Sequence, residues 1–304
     1  MRYITQHAPA PRRMIVTILL AGLAVLGVAF TTVLLQTAVR RRETRPTLES
    51  IGLGAVTNFF DTLGIGSFAT TTAWIKLRRL VPDSFIPATL NAGHCLPTIA
   101  QALIFIKLVD VDPVLLASCI ASAVAGSLVG APIVVRLPVR VVQAVVGVAL
   151  LLAAVLYALA NLNLMPGGGA ALALPAGPFA IAVGAHFVLG ALMTFGIGLY
   201  APSLILLSLL GLNPIAAFPI MMGACAFLMP VCGMRFVRAE RINLRVVIGL
   251  AIGGVPLVLA AAFLVKSLPL TTLRWGVVAV VLYAAVLLLR SAARGERAPV
   301  GGTT

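Results

Sequence analysis

The chain has 304 residues, of which 61% are hydrophobic and only 10% charged, with a formal net charge of +14. A water-soluble domain carries about a quarter charged residues, so this composition excludes an ordinary soluble fold. It also disfavours nucleic-acid binding as the reason for the positive charge, because Lys and Arg cluster in short connections between apolar runs rather than on an aromatic-interleaved stripe.

From the amino-terminus, the first apolar run covers 14–39 and is closed by Arg40, Arg41 and Arg42. It is longer than a signal-peptide core and lacks a small-x-small cleavage site, so it reads as a retained membrane helix. The stretch 48–77 comes next, too long for one ordinary span and interrupted by Gly64-Ile65-Gly66. Plain spans are predicted over 85–108, 113–135 and 139–160. A second overlong stretch, 179–210, is interrupted by Gly196-Ile197-Gly198, and plain spans follow over 214–234, 244–265 and 271–290. A polar, Gly-rich tail runs from Ser291 to Thr304. Apolar runs of about 20 residues without period-two alternation predict bilayer-crossing helices rather than barrel strands. The four cysteines, Cys95, Cys119, Cys225 and Cys232, all lie in apolar segments without metal-ligand spacing, and are expected to be buried and unpaired.

The two interruptions belong to an internal repeat. A shift of 132 residues superposes the Gly-Ile-Gly pairs and places Ala69 on Ala201, Pro82 on Pro214, Pro87 on Pro219 and Leu96 on Leu228. Residues 63–97 and 195–229 share 10 identities in 35 positions, several of them Gly and Pro, which encode backbone geometry. If each interrupted stretch crosses the membrane, Lys and Arg divide 12 to 10 between the two sides; if each folds back as a hairpin, they divide 16 to 6. The positive-inside rule therefore favours hairpins, with the richer side cytoplasmic. Arg2, Arg12 and Arg13 run against this, since they place the amino-terminus outside.

A hairpin plus three crossings turns the second copy over. The expected fold is thus an all-α polytopic membrane protein with two inverted repeats, each a Gly-broken helical hairpin plus three transmembrane helices, and an extra N-terminal helix. The division is 1–46 for the tail and extra helix, 47–162 and 163–290 for the repeats, and 291–304 for the polar tail.

Both copies, and most closely Gly196-Ile197-Gly198-Leu199-Tyr200-Ala201-Pro202 with its continuation through Leu210-Gly211-Leu212-Asn213-Pro214 to Phe218-Pro219, resemble the TauE/SafE sulfite exporter family over roughly 48–290. The first copy, Gly64-Ile65-Gly66-Ser67-Phe68-Ala69-Thr70, keeps the Gly pair but has Thr70 in place of Pro202. The resemblance implies a permease for small sulfur-containing or carboxylated anions in the bacterial cytoplasmic membrane, with export as the direction.

Asp61 is the strongest single candidate for chemistry, as the one acid deep inside an apolar run. Charge at membrane depth costs about 2.5 kcal/mol or more, so such residues usually face a cavity or a partner. A role as a proton or cation coupling site competes with that of a buried acid bonded to neighbouring Thr or backbone groups. Asn91, His94, Thr98 and Gln101 recur every three or four residues and form one polar helix face, provided Pro97 does not disrupt it. His94 is the second proton-coupling candidate, and His186 a weaker one that helix packing explains equally well. The hairpin tips offer helix N-termini with unpaired N–H groups, which bind oxyanions without Arg. Asn58, Gly64, Gly66, Ser67, Thr70, Asn91, His94, Gly196, Gly198 and Tyr200 are the expected substrate-binding set. The glycines alternatively serve close helix packing.

No phosphate-loop, His-Glu-x-x-His or paired intramembrane acid motif occurs, so no ATPase motor or protease of those types is expected, and no cofactor or metal. The expected partners are a small anion and the lipid bilayer, with a homo-oligomer left open. Rival readings are an intramembrane enzyme using His94 with Cys95 or a Ser/Thr, a scaffold with no polar cavity, and a channel lined by the re-entrant pair.

Overall fold

The computed structural model describes residues 10–64, 66–164 and 169–264, with isolated positions between 278 and 294. In chain order its helices are α1 (Ala10–Arg41), α2 (Leu48–Thr62), α3 (Phe68–Arg78), α4 (Ile86–Gly93), α5 (Cys95–Leu108), α6 (Pro113–Arg136), α7 (Val139–Asn161), α8 (Ala176–Met193), α9 (Tyr200–Leu209), α10 (Pro214–Arg238) and α11 (Leu244–Leu264), with a single 3-10 turn at Asp83–Phe85 before α4. No strand occurs among the described residues, only an isolated bridge between Ala171 and Leu212. The span expected over 271–290 lies largely outside the described residues, as does most of the tail.

Local chemistry sets several helix starts. The Thr47 hydroxyl accepts from Ser50 N at 3.2 Å to start α2, and Asp112 Oδ1 accepts from Leu115 N at 2.7 Å to start α6. Asn213 Oδ1 caps α10 through Ile215 N at 2.9 Å, with Pro214 in the first turn. The expected single span over 85–108 is two helices, because it breaks at His94. Pro97 is the cause, since it offers no N–H and its ring crowds the carbonyl of Gly93.

The distribution of polarity is inverted relative to a soluble protein. Val25 and Val28 are 68% exposed, whereas Asn58, Asn91, His94, Gln101 and His186 are fully buried. Six segments among the described residues are long and apolar enough to cross a membrane: Arg12–Arg41, Asp83–Leu108, Pro113–Ile133, Ala176–Met193, Pro214–Arg238 and Leu244–Ala262. The chain is a multi-pass α-helical membrane protein. Its four cysteines are free and buried.

In lipid there is no hydrophobic drive between helices, so tight packing must come from small residues that let backbones approach. The two most extensive helix pairs are α2 with α11 and α8 with α6. A methyl group at Gly253 would overlap the Ile51 carbonyl, and one at Gly126 would overlap that of Phe187. Gly253→Val is therefore expected to destabilise the α2–α11 contact by about 1–3 kcal/mol through overpacking. Thermal unfolding of the purified protein checks this, and an unchanged midpoint would contradict the packing.

Polar ties define the two ends of the bundle. At the end rich in Arg and Lys, Leu244 N donates to Glu43 Oε2 at 2.9 Å and Arg41 donates to the Ile242 carbonyl at 3.2 Å. There Arg78 Nε, at the end of α3, also meets Glu49 Oε1, at the start of α2, at 2.8 Å. Lys76 Nζ and Gln143 Nε2 share Asp83 Oδ2 at 2.6 and 2.7 Å, which joins α3, the 3-10 turn and α7. At the opposite end, Arg12 pairs with Asp110, Asp112 N donates to Leu172 O at 2.9 Å, and Asn213 N donates to Ala171 O at 2.8 Å. The outer ends of α2 and α3 thus meet each other, and so do those of α8 and α9. The Arg78 hydrogen bond lowers the Glu49 pKa. A carboxyl with a lower pKa folded than unfolded stabilises above its unfolded value and loses that contribution as pH falls through the folded one, so the Glu49–Arg78 tie is complete at neutral pH.

Candidate functional site

The two hairpin turns are built on glycine. Gly64 and Gly66 hold φ of 83° and 85°, and Gly196 holds 89°, a region where a Cβ clashes. Gly198, the fourth glycine of the pairs, is not left-handed. A methyl there would sit an ordinary 3.6 Å from Phe68 Cβ, whereas one at Gly196 would lie 3.2 Å from Leu90 Cδ1. The turns are alike in sequence and different in backbone. Gly196→Ala is expected to cost about 1–2 kcal/mol for the left-handed backbone, and Gly198→Ala almost nothing. Thermal unfolding of both variants tests this, and the reverse ranking would sink the distinction.

The turns bring the starts of α3 and α9 to a shared cavity. Asp61, Gly66, Ser67 and Phe68 line it from the first hairpin, and Met193, Gly196, Gly198 and Tyr200 from the second. Thr98 of α5, Cys225 and Met229 of α10, and Leu152 and Leu156 of α7 complete the wall. Neither α3 nor α9 has a side-chain cap, so their first N–H groups are not taken up in that way.

Asp61 sits in the last turn of α2 and is 3% exposed. Ser67, at the start of α3, lines the cavity beside it. Gln101 Nε2 donates to Asp61 Oδ2 at 2.9 Å and to Thr62 Oγ1 at 3.0 Å, while Gln101 Oε1 accepts from the Tyr200 hydroxyl at 2.6 Å. One carboxamide thus links the two hairpin tips.

The polar face expected on α4 and α5 exists, bent at His94, and its members divide the work. Asn91 Nδ2 donates to the carbonyls of Pro87 at 2.9 Å and Met193 at 3.0 Å, and so closes off the end of α8. His94 does not line the cavity. Its Nδ1 lies 2.9 Å from Asn58 Oδ1 and its Nε2 3.0 Å from Thr71 Oγ1. Asn58 Nδ2 donates to Gly54 O at 2.7 Å, which leaves Oδ1 as the acceptor for His94 Nδ1–H and Nε2 as the acceptor for the Thr71 hydroxyl. His94 therefore clasps both arms of the first hairpin.

The second hairpin has a similar clasp. His186 Nδ1 donates to Ala182 O at 2.7 Å, and its Nε2 accepts from Ser203 Oγ at 3.0 Å. Ser203 follows Thr71 by 132 residues, the same offset that superposes the two Gly-Ile-Gly interruptions.

Of the residues expected at the site, Asp61, Gly66, Ser67, Gly196, Gly198 and Tyr200 line the cavity. Asn58, Asn91 and His94 support it from behind, Gly64 packs against Phe218, and Thr70 donates to Ser67 O at 3.0 Å. Thr98 and Gln101 were legible as part of the polar face. Leu152, Leu156, Met193, Cys225 and Met229 carried no signal that separates a cavity wall from a lipid-facing surface. No metal-holding group of His, Cys, Asp and Glu occurs among the described residues. No family model, curated protein or solved structure matches the chain.

Proposed function

We propose that the protein is a secondary transporter that carries small anions across the bacterial cytoplasmic membrane by alternating access, coupled to protons through Asp61. The observation that carries this reading is the meeting of two Gly-broken hairpin tips around a cavity walled by Asp61, Ser67, Thr98 and Tyr200, with the starts of α3 and α9 beside it. Uncapped helix starts attract oxyanions through their N–H groups and dipole. Discontinuous helices meeting at a shared centre are the arrangement many secondary transporters use.

Two inverted repeats belong to the same proposal. In support, the first hairpin has its outer ends at the Arg-rich end of the bundle and the second at the opposite end. Each first arm also packs on a helix of the other half, α2 on α11 and α8 on α6, and those pairs correspond under the 132-residue shift. The positive-inside rule makes the Arg-rich end cytoplasmic. Sulfite, sulfonates and related sulfur or carboxylate anions, with export as the direction, follow from the resemblance to the TauE/SafE family.

Against the enzyme reading, the two hydroxyl–imidazole chains described above, Thr71–His94–Asn58 and Ser203–His186–Ala182 O, are buried and do not line the cavity. A scaffold has no use for a carboxyl on the wall of a cavity. The test is flux of sulfite, methanesulfonate, thiosulfate and lactate into proteoliposomes containing the full chain. Saturable flux of at least one anion, absent from empty liposomes, is expected; none for all four would overturn the transport reading.

A further inference from the structure

Among the described residues, the cavity wall has one carboxyl and no fixed cation. Among the described residues that line it, Asp61 is the one acid, and none is Lys, Arg or His. Its repeat counterpart at the second tip, Met193, lines the same space and carries no charge, so the site has one acid and not two. Tyr200 from α9 and Cys225 from α10 are the other titratable side chains on the wall, a phenol and a thiol that are uncharged at neutral pH by their ordinary chemistry.

The described elements around Asp61 add no charge at its level. On α2 the only other charged residue is Glu49, at the far end. The charged residues of α3 are Lys76 and Arg78, those of α10 Arg235 and Arg238, and that of α5 Lys107, all in last turns. Arg245 of α11 and Arg140 of α7 stand at the second position of their helices, while α8 and α9 carry no Asp, Glu, Lys or Arg. His94 and His186 have both ring nitrogens committed to hydrogen bonds away from the cavity.

These facts constrain the charge of whatever the site carries. An anion beside an ionised Asp61 would put two negative charges within a few Å on a largely apolar wall whose described residues include no cation, which is strongly unfavourable. An anion beside a protonated Asp61 meets a carboxyl that can donate to it. The empty site with Asp61 ionised then has a charge of about −1, and so does the site loaded with one monovalent anion and one proton. An alternating-access protein whose empty and loaded centres carry equal charge does no work against the membrane potential.

We propose that the cavity carries one monovalent anion together with one proton, held on Asp61, so that transport is electroneutral. This rests on the transport reading and adds the stoichiometry and the charge class of the cargo. The proton is taken from water on one side and given to water on the other, and no bond in the anion changes.

The test uses the full chain in proteoliposomes with methanesulfonate, which stays monovalent across the working pH range, and with thiosulfate as a dianion. The expected wild-type result is steady-state accumulation of methanesulfonate of about tenfold per unit of pH difference, the value for one proton per anion. The steady-state accumulation should be unchanged when valinomycin and a potassium gradient impose a potential of either sign at the same pH difference. Accumulation of about a hundredfold per pH unit, accumulation that shifts with the potential, or movement of thiosulfate but not methanesulfonate would each overturn the proposal.

Asp61→Asn leaves the empty centre neutral and the loaded centre negative. Its pH-driven accumulation should vanish and its residual flux should follow the potential; retention of tenfold accumulation per pH unit would overturn the role of Asp61. The wild-type measurements decide the stoichiometry even if this variant does not fold. Absence of flux for all four anions of the earlier panel overturns the transport reading itself, an outcome distinct from potential-driven flux.

Discussion

Gln101→Leu should lower transport about 100-fold, the equivalent of about 3 kcal/mol. The substitution keeps the bulk of the side chain and removes its carboxamide, on which both hairpin tips depend. Asp61 Oδ2 loses its donor and the Tyr200 hydroxyl loses its acceptor, and both groups are buried. A hydrogen bond to a charged group contributes about 1.5–3 kcal/mol, and a stranded buried hydroxyl costs a similar amount. Tyr200→Phe removes only the second of these bonds, so its effect should be smaller and non-additive with Gln101→Leu, as expected for residues in one network. Flux and thermal unfolding of the two single variants and the double variant test the idea. Additive losses would show that Gln101 does not link the tips.

His94→Ala is expected to be the most damaging substitution for stability without belonging to the cavity wall. It strands Asn58 Oδ1 and Thr71 Oγ1, the contacts through which α2 and α3 are clasped. Each stranded buried group costs about 1–3 kcal/mol. At roughly 2–4 °C per kcal/mol, the midpoint of unfolding should fall by on the order of 10 °C. His94→Gln, whose amide can both donate and accept, should recover part of that loss. The pH dependence of flux separates a clasp from a proton carrier: His94→Gln should retain the wild-type profile, and a shifted profile in a stable variant would put His94 on the proton path. The sequence leaves His94 open to both roles, because a histidine on a polar membrane face has the chemistry for either. Its position behind the cavity favours the clasp.

Much of the architecture is legible in residue order because a bilayer demands it. Backbone groups in lipid must bond within their own segment, so the long apolar runs of α1, α6, α7, α10 and α11 could become little else than helices. The Gly pairs and matched prolines likewise report backbone geometry directly, which is why the breaks at Gly64–Gly66 and Gly196–Gly198 fall where expected. Asp61 stood out because an acid in such a run has a known cost. Pro97 was a less certain sign: a proline can kink a helix or be absorbed, and only the packed structure has the break at His94.

What residue order could not supply are relations between segments far apart in the chain. Asn91 and Met193 are 102 residues apart, and Tyr200 and Gln101 are 99 apart, yet each pair is joined by a hydrogen bond. Side-chain types state what can bond, whereas the packing of α2 on α11 and α8 on α6 decides which groups come within reach. The same holds for apolar residues. Leu152 and Leu156 on the cavity wall are chemically identical to leucines that face lipid, and only their position around Asp61 tells them apart. Membrane embedding, helix placement and the tip glycines follow from local physics that each segment carries by itself. The cavity, the Gln101 link and the two histidine clasps exist only once distant helices are packed together.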